Sequence, residues 1–235
     1  MIEVRHLTKR IGATTVLDDI TMTTAPGRIT GLAGPNGSGK TMLMRTLVGL
    51  VRPTSGSVRV MGRDPWELEI DRAPHKDKKA APPRTPSIGL LLEGPAFLDG
   101  YTGLRNLELL ASVGNTATPP DARTAIEAMG LDPNDRRKYR KYSLGMKQRL
   151  GIAGAVMGTP DIVVLDEPTN ALDTNGVRLA VSQIRTAADR GATVVLASHD
   201  AAVPHELANE VWYLAEGHID GHEELNVAGS CGPKA

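Results

Sequence analysis

The chain has 235 residues, 40% of them hydrophobic and 23% charged, with 27 basic and 27 acidic side chains. That length holds one large core with a smaller subdomain attached, the composition is that of a globular protein, and a formal net charge of zero leaves no overall field to draw the chain onto nucleic acid or anionic lipid. No run approaches the ~20 apolar residues needed to span a bilayer, Met1 to His6 does not resemble a secretory signal, and the single Cys231 excludes an internal disulfide framework, so a cytoplasmic protein is expected.

Ile2 and Val4, continued by His6, alternate as a strand, and Val16 to Met22 form a second extended segment. Ala25-Pro26-Gly27 turns the chain into Ile29-Thr30-Gly31-Leu32-Ala33, a buried-strand pattern. Gly34-Pro35-Asn36-Gly37-Ser38-Gly39-Lys40-Thr41 follows and fits the eight-position phosphate-binding loop at every required position. Met42, Leu43, Leu47 and Leu50 then recur at helical spacing, which completes the strand, loop and helix that the motif requires. In such a loop the backbone N–H groups point into one concavity, and the helix presents its positive end to bound phosphates. Gly37 and Gly39 permit the tight wrap. Lys40 is expected against the β- and γ-phosphates, with the Thr41 hydroxyl on Mg²⁺.

Beyond the helix, Pro53-Thr54-Ser55-Gly56 breaks the chain and Ser57 to Gly62 reads as a short strand, which suggests a mixed first lobe. Residues 64–86 change character, with a basic, Pro-rich stretch over 72–84 that reads as a solvated loop. Ile88 to Leu92 is a buried-strand pattern ending in Glu93. Leu104, Leu107, Leu110 and Ala111 mark one amphipathic helix, and Ala122, Ile126 and Met129 a second, in a helical subdomain of about 98–142. From Asp161 strands and helices alternate, favouring a parallel sheet: Ile162 to Leu165, a helix with Val177, Val181 and Ile184 on one face, then Thr193 to Ala197. Val211 to Leu214 and His218-Ile219 resemble a terminal hairpin.

Ile162 to Leu165 delivers Asp166 and Glu167 to the end of an apolar strand, an arrangement that is costly without cations. Beside a phosphate loop, Asp166 is expected to face Mg²⁺ and Glu167 to polarise an attacking water. His199 ends another apolar run, and the remaining histidines have no convincing metal-ligand spacing.

Ser143-Leu144-Gly145-Met146-Lys147-Gln148-Arg149, a little over twenty positions before Asp166, completes a resemblance to the ATP-binding subunit of an ABC transporter that covers residues 1 to about 220. The resemblance implies an α/β fold: a P-loop NTPase core with a mixed sheet over about 1–97 and 143–220, an inserted helical subdomain carrying the signature motif, and a tail over 221–235. It implies a head-to-tail dimer, of one kind of subunit or two, around two ATP molecules, with Ser143 and Gly145 of one subunit reaching the γ-phosphate held by the other. Gly34 to Met42 would bind the nucleotide, and Thr41, Asp166 and Glu93 the Mg²⁺. Catalysis would fall to Lys40, Glu167 and the switch histidine His199, with Asn170 to Asp173 crossing between the two sites. The Tyr-Ser-Leu-Gly-Met form of the signature resembles the antibiotic-resistance and lantibiotic-immunity branch, so a separate integral-membrane permease, and export, are implied.

Two positions depart from the family. Glu93 stands where a glutamine is usual and adds negative charge near the triphosphate; Ile11 stands where an aromatic residue usually stacks on adenine, so base stacking is weakened. One rival is a soluble ABC ATPase acting on ribosomes or DNA, but those carry tandem cassettes or long coiled-coil insertions that this chain lacks. The other is a nucleotide-dependent regulator that barely hydrolyses ATP, against which Glu167 and His199 argue.

Overall fold

The computed structural model describes residues 1–66, 85–114, 117–200 and 202–225, so the basic stretch 72–84 and Cys231 lie outside the described residues. The chain runs β1 (Ile2–Ile11), β2 (Thr14–Thr24), β3 (Ile29–Ala33), α1 (Lys40–Leu47), β4 (Ser55–Val60), β5 (Ile88–Leu91), α2 (Gly103–Gly114) and α3 (Pro119–Ala128). A 3-10 turn at Tyr139–Lys141 leads into α4 (Leu144–Val156), β6 (Ile162–Asp166), α5 (Thr174–Asp189), β7 (Thr193–Ser198), α6 (Ala202–Leu207), β8 (Glu210–Ala215) and β9 (His218–Glu224).

Two sheets result. A three-stranded antiparallel sheet has the order β2-β1-β4, and a six-stranded sheet the order β5-β6-β7-β3-β8-β9, parallel except for the final β8–β9 hairpin. Strands β3, β6 and β7 are buried along their whole length, which is why their sequences are unbroken apolar runs: a parallel sheet covered on both faces has no polar side. Alternate residues serve opposite faces. Val163, Leu165, Val194 and Leu196 join a core built with α2 to α6, whereas Ile162, Val164, Val195 and Ala197 pack with Leu43, Met44 and Leu47 of α1 and with the antiparallel sheet.

Some local expectations change. Helix α1 ends at Leu47, not beyond Leu50, because Gly49 takes a left-handed φ of +80° and closes the end with Gly49 N–H to the Thr46 carbonyl and Leu50 N–H to the Arg45 carbonyl. Leu50 is left 62% exposed. The alternation of β1 fails at His6, where φ is +49° and the register with β2 shifts; the irregularity turns Leu7, not His6, into the core. Leu90 is exposed because β5 is an edge strand. In the region 98–142, Leu107, Ala111, Ala122, Ile126 and Met129 are buried against one another as their spacing predicts, while Leu110 faces out.

Candidate functional site

The parallel registers bring four chain segments to one edge. Asp166 is level with Ala197 on β7, Ala197 with Leu32 on β3, and Leu91 of β5 with Leu165, so the phosphate loop, Glu93, Glu167 and His199 all leave the carboxyl ends of neighbouring strands. Ligands of open α/β sheets bind at that edge. A cleft of about 280 Å³ opens there, lined by Val16, Asn36, Gly37, Gly39, Lys40, Thr41, Met42, Asp166 and Glu167.

The loop geometry needs its glycines. Gly39 is the N-cap of α1 at φ +106°, and a Cβ there would lie 2.8 Å from Leu17 and 3.1 Å from the Val16 carbonyl; at Gly34, φ +149°, it would strike the Leu214 carbonyl. With no side chain capping α1, the first N–H groups of the helix are left for a ligand. Ser38 is buried and its Oγ has no hydrogen-bond partner among the described residues, an orphaned group that an incoming phosphate oxygen satisfies. Pro35, Asn36 and Gly37 form the exposed rim. Lys40 is buried, and its Nζ donates to the carbonyls of Gly34 (2.7 Å) and Pro35 (3.0 Å), which hold the ammonium inside the loop.

Opposite the loop, the Thr41 hydroxyl donates to Asp166 Oδ2 at 2.7 Å. Burial first of all, and then the Glu167 and Glu93 carboxylates, push the Asp166 carboxyl above its ordinary range, against the Thr41 bond and the Lys40 ammonium. A buried set of oxygen donors short of positive charge fits a small divalent cation such as Mg²⁺. Glu93 lies at the rim with φ +55°, its carboxylate mostly exposed and ion-paired with Arg45 of α1.

Glu167 adopts φ +50°, uncommon for a residue with a side chain. Its Oε1 accepts from the His199 backbone N–H at 2.7 Å and lies 2.8 Å from His199 Nδ1, and its Oε2 accepts from the Ser198 hydroxyl at 3.2 Å. A carboxylate braced by three groups at the mouth of a phosphate cleft is placed to take a proton from water.

A family model described as ABC transporter matches residues 17–170, which span the phosphate loop, Ser143, Asp166 and Glu167. The chain belongs to the ABC transporter family. It is an ATP-binding and ATP-hydrolysing subunit of such a transporter. The chain is 44% identical over 225 residues to an uncharacterized ABC transporter ATP-binding protein of Bacillus subtilis, YybJ, covering 96% of this chain and 97% of that one. It is 35% identical to the bacitracin transport ATP-binding protein BcrA of Enterococcus faecalis over 97% of this chain and 70% of the relative. In fold it is similar to the ATP-binding cassette MJ0796, solved as a dimer in a post-hydrolysis state with ADP and Pi, with TM-score 0.81 and 24% identity over 96% of this chain and 99% of that chain.

The remaining residues expected in this ABC site lie outside its own cleft. Ser143 caps α4, its Oγ accepting from the Met146 N–H at 3.2 Å, and Ser143 and Leu144 are exposed. Gly145 passes so close to the loop after β6 that a Cβ would lie 2.9 Å from the Ala171 carbonyl. Asp173 caps α5 through the Gly176 N–H and pairs with Arg149. Ile11 ends β1, 53% exposed, and does not line the cleft, where Val16 of β2 stands instead. Val16, Ser198 and Arg45 reach the site with no motif to announce them, apart from Ser198 immediately preceding His199. Among the described residues no helix is long and apolar enough to cross a membrane.

Proposed function

We propose that this subunit pairs head to tail with a second ATPase subunit around two ATP molecules and drives a separate integral-membrane permease, from the inner face of the cell membrane, as an exporter of a drug or peptide antibiotic. The observation that carries the pairing is the exposure of Ser143 and Leu144 at the start of α4, outside the cleft that the same chain builds. A helix N-terminus with a hydroxyl at its cap suits a phosphate supplied by another molecule. The name of the bacitracin transport relative supports an antibiotic as the cargo.

In the reaction, water adds to the γ-phosphorus as the bond to the β–γ bridging oxygen breaks, giving ADP and phosphate. Lys40 and the loop amides carry the charge on the phosphate oxygens, and Glu167 accepts the proton from water. His199 meets one oxygen of the Glu167 carboxylate and Ser198 the other, so in this reading His199 orients that base. Mg²⁺, when bound by Thr41, Asp166 and Glu93, supplies positive charge beside the triphosphate.

A Ser143→Arg subunit is expected to bind ATP as the parent does and to remain monomeric with Mg-ATP in size-exclusion chromatography. If the isolated monomer loses ATP affinity instead, the signature acts within its own chain and the pairing reading fails.

Although Ile11 lies outside the lining of the cleft, the family register places it toward adenine, where an apolar side chain would make contact without an aromatic face. Stacking of an aromatic residue on a base is worth ~1–3 kcal/mol by alanine substitution, and isoleucine supplies part of it. Ile11→Tyr is therefore expected to tighten ATP severalfold to about tenfold, ~1.4 kcal/mol per decade, and GTP equally. Titration with both nucleotides checks this against Arg10→Ala. Unchanged affinities in the Tyr variant together with a loss in the Arg10 variant make Arg10 the platform.

A further inference from the structure

Gln148 is 6% exposed on α4, among the buried apolar residues Leu150, Ile152 and Ala153 of the same helix. A buried carboxamide is unfavourable unless its hydrogens are bonded. Here its Nε2 donates to the backbone carbonyls of both Glu167 (3.0 Å) and Pro168 (3.2 Å). It is the one side chain among the described residues that bonds the Glu167 carbonyl. The peptide it grips is unusual: Glu167 sits at φ +50°, with its N–H donating to the Ala197 carbonyl at 2.9 Å. A side-chain-bearing residue stays in that region only where its surroundings over-determine it. The Ala197 bond fixes one end of the residue, the Gln148 amide together with the Asn170 N–H (3.2 Å) fixes the other, and the carboxylate between them is turned toward Ser198, His199 and the cleft.

We infer that Gln148 is a positioning residue for the ATPase reaction, holding the backbone of Glu167 in the conformation that aims its carboxylate at the attacking water. The inference rests on the reading of Glu167 as the base. Gln148 does not line the cleft; it acts through the peptide of Glu167. A glutamine that served only to fill the core and satisfy two carbonyls would leave kcat per folded molecule unchanged when replaced.

The experiment is a double-mutant cycle on the full chain, Gln148→Met with Glu167→Gln, reading kcat at saturating ATP, ATP affinity by titration, and thermal midpoint. Gln148→Met keeps the length of the side chain and removes its donors. Expected is a fall in kcat of about 10- to 100-fold, the scale for a reacting group displaced by about 1 Å, with ATP affinity within about twofold of the parent. In the Glu167→Gln background the same substitution should change the residual rate by less than about twofold, because the group it positions is no longer a base. A parent-like kcat in Gln148→Met, or an equal fold-loss in both backgrounds, overturns the inference. Should Gln148→Met show no cooperative unfolding transition, Gln148→Glu replaces it, since it conserves size and sets an acceptor against the two carbonyls. If Glu167→Gln itself turns over like the parent, the base reading falls and this one with it. A slow Glu167→Gln beside a fast Gln148→Met removes Gln148 alone.

Discussion

Glu167→Gln is expected to bind Mg-ATP like the parent and to hydrolyse it about 100-fold more slowly or worse, the scale of a positioned general base. The contacts of Glu167 make this a clean substitution. A glutamine can leave its oxygen facing the His199 N–H and ring, in place of Oε1, and turn its amide hydrogens to the Ser198 hydroxyl, which accepts as well as donates. Shape and hydrogen bonds survive; basicity does not. With hydrolysis blocked, the ATP-bound dimer should accumulate and elute at twice the monomer mass in Mg-ATP. A variant that stays monomeric contradicts the closed-dimer model, and one that hydrolyses at the parent rate removes Glu167 from the chemistry.

Lys40→Ala is expected to abolish productive ATP binding. The buried ammonium now donates to the Gly34 and Pro35 carbonyls, and turning it to a triphosphate exchanges neutral acceptors for charged ones. Hydrogen bonds to charged groups are worth about 1.5–3 kcal/mol each, so the loss of two of them costs affinity by roughly a hundredfold or more. The orphaned Ser38 hydroxyl and the loop amides remain, but they are dipoles facing several negative charges. Titration with a fluorescent ATP analogue reads the loss directly, with the thermal midpoint as a control because the two loop carbonyls lose their donor. Equal ATP turnover by variant and parent would sink the assignment.

Sequence and structure agree where the determinants are local. Gly34 to Thr41 is one contiguous run whose glycines, lysine and threonine each have a job within eight residues, so strand, loop and helix were legible together. The cap of α5 is equally local, since the partner of Asp173, the Gly176 N–H, lies three residues on. The end of α1 was not legible, since the helical spacing of Leu50 continues past the point where Gly49 stops the helix; the glycine, not the apolar period, decided it. At His6 a strand irregularity overrode alternation in the same way.

By itself the sequence determined the phosphate loop, the apolar strands of a covered parallel sheet, the carboxylates that end one of them, and the signature segment that marks the family, because each is a pattern over a few consecutive residues. Only the tertiary structure decided which of these meet. Thr41 reaches Asp166 across 125 positions because β3, β7 and β6 lie side by side in register. Glu93 found Arg45, and Gln148 the peptide of Glu167, for the same reason: strand order and helix docking set which distant groups come within about 3 Å, the reach of a hydrogen bond. The charges and hydrogen-bonding groups are written in the chain, but their partners are chosen by packing, and a buried amide shows its purpose only when the carbonyls it holds are in view.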